Sequence, residues 1–84
     1  MTARTTDPEA RARPVKRSLT LSGHRTSVTL EPPFWDALER MARDCGLSLN
    51  AAVARIDAAR APSVGLASTL RVAILDWALS RKAE

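Results

Sequence analysis

Arg25, Ser27 and Thr29 occupy every second position of the segment GHRTSVTLEPPFW, residues 23–35, with Thr26, Val28 and Leu30 between them. In an extended chain that spacing puts the first three on one face and the other three on the opposite face. The polar three have the chemistry of base recognition. Arg bonds guanine bidentately, Ser and Thr donate to or accept from either kind of base, and the Thr methyl can touch a thymine methyl. Further on, Ser48, Leu49 and Asn50 stand where a helix begins, and a helix start offers free N–H groups and partial positive charge to an anion. Arg17 and His24 are further candidate phosphate contacts. No catalytic set accompanies them: there is no nucleophile–base arrangement, no carboxylate pair beside a histidine, and the three glycines are isolated. His24 is the single histidine and Cys45 the single cysteine, so no metal set is expected and no cofactor is implied. The sequence therefore predicts a binding protein and not an enzyme.

The elements that must position these residues are few. Residues 16–30 carry two period-two runs, RSLTLS and RTSVTL, of β character. Pro32 and Pro33 end the second run and pre-set helical φ, so a first helix is expected over residues 33–45. Its apolar stripe is Phe34, Leu38, Met41, Ala42 and Cys45, which predicts a buried structural thiol. Gly46 suits the left-handed position after a helix. Ser48 caps a second helix, residues 49–60, with Leu49, Ala52, Val53 and Ile56 along one side. Asp57 and Arg60 are three apart there and are expected to pair. After a break at residues 63–65, a third helix runs over 66–81 with Leu70, Ala73, Ile74 and Trp77 inward. Val72, Leu75 and Leu79 form its second flank, so this helix is expected to be buried on more than one side.

Charge is distributed unevenly. The chain has 84 residues and a formal net charge of +4. The whole excess lies in residues 1–25, where six basic side chains face two acidic ones, while residues 26–84 balance. A basic segment ahead of a neutral body suits an anionic partner, of which nucleic acid is the commonest. Residues 1–15 have two prolines and no periodicity and read as a flexible basic arm, leaving 16–82 as the folded domain. One cysteine, no leader-like segment and no long apolar run predict a cytoplasmic protein without a membrane partner.

A strand of six residues needs a partner for its backbone groups, and two pairings fit. Residues 25–30 can pair with the same strand of a second copy, giving an intersubunit ribbon of the kind the DNA major groove admits. Alternatively, residues 17–22 fold back as a hairpin with Gly23-His24 as a type II′ turn, setting Leu19 opposite Val28, Leu21 opposite Thr26 and Thr20 opposite Ser27. The two can also coexist in a wider dimeric sheet. With the hairpin alone, the polar row is more simply the solvated back of an edge strand.

The order strand, proline, amphipathic helix, glycine and Ser-x-Asn, carried by RTSVTLEPPFWDALERMARDCGLSLNAAVARI, residues 25–56, resembles the ribbon-helix-helix family of dimeric repressors. With KRSLTLS ahead of it and a third helix behind, the chain is similar to a compact bacterial branch of that family. The resemblance implies a mostly α fold with a short β-strand, forming a ribbon-helix-helix homodimer with an additional C-terminal helix. It places Arg25, Ser27 and Thr29 at base-reading positions, and Ser48, Leu49 and Asn50 at a phosphate. The expected dimer core is Val28, Leu30, Trp35, Leu38, Val53, Ile56, Ile74 and Trp77. The implied function is sequence-specific DNA binding with transcriptional repression. The alternative is a dimeric protein-interaction module, or an antitoxin, whose third helix receives a protein partner.

Overall fold

The computed structural model describes residues 7–82. Its elements run α1 (Pro8–Ala12), β1 (Val15–Leu21), β2 (His24–Leu30), α2 (Pro32–Asp44), α3 (Leu49–Ala58) and α4 (Leu66–Lys82). The two strands form an antiparallel hairpin that lies on the three long helices, with β1 against α3 and β2 against α4. The expected mostly helical fold with a third helix behind the ribbon is present.

The strand finds its partner inside its own chain. β2 pairs with β1 in the register Val15↔Leu30, Arg17↔Val28, Ser18↔Ser27, Leu19↔Thr26 and Leu21↔His24. The turn is Ser22-Gly23 and not Gly23-His24. Both turn residues have positive φ, +52° and +84°, as a type I′ turn requires, and that turn matches the right-handed twist of its strands. Relative to the expected register the strands slip by two residues, so every side chain keeps its face while the ladder lengthens to seven pairs. Leu19, Leu21, Val28 and Leu30 point inward and are buried.

Of the segment expected as an arm, residues 1–6 lie outside the described residues. Asp7 caps α1 by accepting the Glu9 N–H at 3.1 Å, and β1 already begins at Val15. Pro32 and Pro33 occupy the first turn of α2, which buries Trp35, Leu38 and Ala42. The Trp35 indole N–H donates to the Val15 carbonyl at 2.9 Å, tying α2 to the start of the hairpin. α2 closes in a Schellman arrangement: Gly46 has φ +70°, Leu47 N–H reaches the Ala42 carbonyl at 2.9 Å, and Gly46 N–H reaches that of Arg43 at 3.0 Å. The helix therefore stops at Asp44, and Cys45, expected to be buried, is exposed because the stripe ends one residue before it.

Ser48 caps α3 by accepting the Ala51 N–H at 3.1 Å. This helix ends at Ala58, two residues short of expectation. There Arg60 bonds both the Asp57 carboxylate at 2.8 Å and the Val64 carbonyl at 2.6 Å, so the expected pair forms and also braces the loop. Leu70 and Ile74 of α4 complete the core with Val53, Leu38 and the strands. Val28, Leu30, Trp35, Leu38, Val53 and Ile74, assigned to a core shared by two copies, are buried within one chain, while Ile56 and Trp77 are half-buried. Each fully buried aliphatic side chain contributes roughly 1.5–3 kcal/mol. The second flank of α4 is not buried: Val72, Leu75 and Leu79 are 60%, 54% and 57% exposed.

Glu31 and Arg71 clamp the start of α2 to α4, with Arg71 Nε and Nη2 donating to Glu31 Oε1 at 3.1 and 3.0 Å. The backbone hydrogen bond at Glu31 holds its carboxyl below the usual 4.5; burial opposes this, and Arg71 adds to the lowering. A carboxyl depressed in the folded state stabilises the fold above its unfolded pKa, and that contribution is lost as pH falls through the lower folded value. Urea denaturation should therefore show stability declining as pH drops below about 4.5, and Glu31→Gln should remove part of that slope. At the turn, Gly23→Ala should cost about 1–2 kcal/mol, because an alanine there keeps a left-handed backbone. Ser22→Asn should raise the urea midpoint, since Asn-Gly is the favoured type I′ pair.

Candidate nucleic-acid interface

The inward leucines and valine fix what faces outward. Arg25, Ser27 and Thr29 of β2 are all exposed on the outer face, as their spacing predicts. Beside them stand Lys16, Ser18 and Thr20 of β1, also exposed, in the cross-strand pairs Lys16↔Thr29, Ser18↔Ser27 and Thr20↔Arg25. The face thus holds four hydroxyls and two cations with no carboxylate. Directly opposed side chains on such a sheet lie about 4.5–5.5 Å apart at Cβ, so the six form one continuous surface. No β1 residue of this face was among the expected site residues, although the expected hairpin set Thr20 opposite Ser27. The signal was present in the alternation of KRSLT, but a row without a known partner strand cannot be assigned to a shared face.

Arg17, assigned to a phosphate, is elsewhere. It lies on the inner side of β1, its guanidinium 4.6 Å from the centre of the Trp35 ring and its Nη1 3.3 Å from Glu39 Oε2. Parity explains this placement: Arg17 shares a face with Leu19 and Leu21, not with Lys16 and Ser18. His24, at the turn end, is exposed. With Arg25 and Thr26 it borders a cleft of about 330 Å3 whose other wall includes Asp57 and Arg60. At the start of α3, Ser48 and Asn50 are exposed while Leu49 packs against the core. The Ser48 hydroxyl is engaged by Ala51 N–H, which leaves the Leu49 and Asn50 N–H groups as the donors this helix start presents.

The family model of the ribbon-helix-helix domain matches residues 14–78, which includes both strands and nearly all of the three long helices. The chain belongs to the ribbon-helix-helix family. Ribbon-helix-helix proteins generally bind DNA as transcription regulators or antitoxins, typically as dimers. Among solved structures, the chain is similar to an uncharacterized protein from Bordetella pertussis Tohama I, with 28% identity and a TM-score of 0.74 over 94% of this chain. It spans 66% of the length of that protein. No curated protein matches it. Among the described residues no helix is long and apolar enough to cross a membrane, and no cluster of potential metal ligands occurs.

The placement of Arg17 gives a direct check. Arg17→Ala should lower stability by about 1 kcal/mol through loss of its stacking on Trp35, read from urea denaturation.

Proposed function

We propose that this ribbon-helix-helix protein is a sequence-specific DNA-binding homodimer that represses transcription in the cytoplasm. Arg25, Ser27 and Thr29 read base edges in the major groove. His24 and the N–H groups of Leu49 and Asn50 hold phosphates, and the basic residues of the N-terminal segment add salt-sensitive attraction. The observation that carries this reading is the outer face of the hairpin, wholly polar and cationic and held in place by an inner face of buried leucines and valine. A solvated edge strand has no need of a row free of acidic groups. β2 pairs with β1 within each copy, and pairing of its other edge with the same strand of a second copy would extend this hairpin into a wider dimeric sheet. Two such ribbons related by two-fold symmetry call for a near-palindromic operator.

A second reading is favoured by the exposed flank of α4. Val72, Leu75 and Leu79 are exposed there, and Val72 borders an open groove of about 570 Å3 between α3 and α4, in which Ile56, Ala59 and Val64 also lie. Exposed apolar surface of this kind marks interaction sites, and it suits a dimeric protein-interaction module or an antitoxin.

Gel-shift titration against DNA upstream of its own gene, across a salt series, separates the readings. Under the DNA reading, Arg25→Ala relaxes sequence preference and costs roughly 1–3 kcal/mol of affinity. Equal affinity of wild type and Arg25→Ala for every duplex would reduce the contact to non-specific attraction and leave the protein-interaction reading standing.

A further inference from the structure

α4 is apolar on two opposite sides, and its own chain covers only one of them. Leu70 and Ile74 enter the core, while Val72, Leu75 and Leu79 stand about half a turn around the helix and are exposed. Among the described residues the exposed large apolar side chains are Val15, Val64 and these three. Val64 borders the α3–α4 groove that Val72 also lines, so all but Val15 gather on one surface. A helix side meant for water has no need of two leucines and a valine. Their spacing, three and then four residues, is the seam with which one helix packs on another.

The position of the stripe says what covers it. β1 rests on α3 and β2 rests on α4, so α4 walls the core on the side of β2. Among the described residues the outer edge of β2 has no strand beside it. Leu21↔His24, next to the two-residue turn, is a hydrogen-bonded pair, and such pairs alternate along the ladder. The backbone groups of Arg25, Ser27 and Thr29 are therefore turned to the open edge. The side of α4 opposite the core faces the same way. A second copy joined at that edge brings its own α4 to this stripe.

The charges beside the stripe suit a copy of the same chain. Arg55 of α3 and Asp76 of α4 border the groove and are exposed, and neither has a hydrogen bond or ion pair among the described residues. A two-fold contact sets one residue against a second of the copy, and the second against the first. A rim with one cation and one anion is thus complementary to itself, whereas a partner of a single charge would meet one of the two unfavourably.

We infer that α4 is a dimer contact in its own right: the Val72–Leu75–Leu79 stripes of two copies pack across the two-fold axis, with Leu75 of each meeting at the middle. This rests on the homodimer proposed above and deepens it. The helix behind the ribbon then has a task, which is to join the two copies beneath their sheet.

Sedimentation equilibrium of the full chain tests this, with wild type compared against Leu75→Glu and Leu75→Lys. Leu75 is exposed in the single chain, so both variants keep the fold, and circular dichroism verifies it. The expected result is a dimeric wild type and, for each variant alone, a dimer Kd raised about 10- to 150-fold, the range for one leucine left unburied. An equimolar mixture of the two variants should regain most of that loss, because an acid then meets a base across the axis. Damage to the fold would not be repaired by mixing. A dimeric wild type whose variants dimerise equally well overturns the inference and leaves the homodimer standing, held by its strands alone. Weakening in both variants without recovery on mixing also overturns it, since residue 75 then does not meet its counterpart. A monomeric wild type removes the inference and the homodimer together.

Discussion

Side chains on a strand alternate with a period of two, and the parity of the hairpin is the constraint on which the other features depend. A slip of one strand by one residue would turn its two buried residues to solvent, Leu19 and Leu21 on β1 or Val28 and Leu30 on β2, and carry three polar groups toward the core. The Ser22-Gly23 turn sets that parity, and burial against the helices enforces it. The outer face is thus a by-product of the core in a strict sense. Its residues point outward because four others cannot, and their alignment is as rigid as the packing behind them.

The helices supply that packing through a few directional contacts that close the apolar ones into a single arrangement. The Trp35 indole donates to the Val15 carbonyl and carries Arg17 over its ring, fixing the start of β1 on α2. Glu31 and Arg71 join the start of α2 to the middle of α4, and Arg81 with Asp44 joins their other ends. The neutral nonpolar contacts supply most of the stability. The charged ones bridge separate elements, where they choose among packings more than they deepen one. Arg17 shows how one residue type divides by position: a cation one place along the strand, Lys16, faces the solvent side, while Arg17 becomes part of the packing.

Elements that rest on local chemistry were legible in the sequence. The proline pair, Gly46 and Ser48 mark helix ends through backbone rules that act over three or four residues, and α2, α3 and α4 lie within two residues of where those rules place them. The outward position of Arg25, Ser27 and Thr29 follows from alternation alone. The hairpin was one of the two pairings the alternation offered, and β2 does pair with β1, but two residues out of the expected register, because the turn is Ser22-Gly23 with a serine at positive φ that no simple preference singles out. Within one chain Cys45 and the outer flank of α4 are exposed for a related reason. A helical stripe says which side is apolar, not where the helix stops or whether anything covers it.

Because both strands of the ribbon belong to one chain, they are encoded by separate codons. A ribbon built from two identical chains must change both halves at once, so every mutation appears twice on the surface. Here a change at Ser18 leaves Ser27 untouched. The near-match between the outer rows of the two strands is therefore free to drift, one row changing while the other keeps its residues. Symmetry in this hairpin is a starting point for divergence and not a condition of assembly.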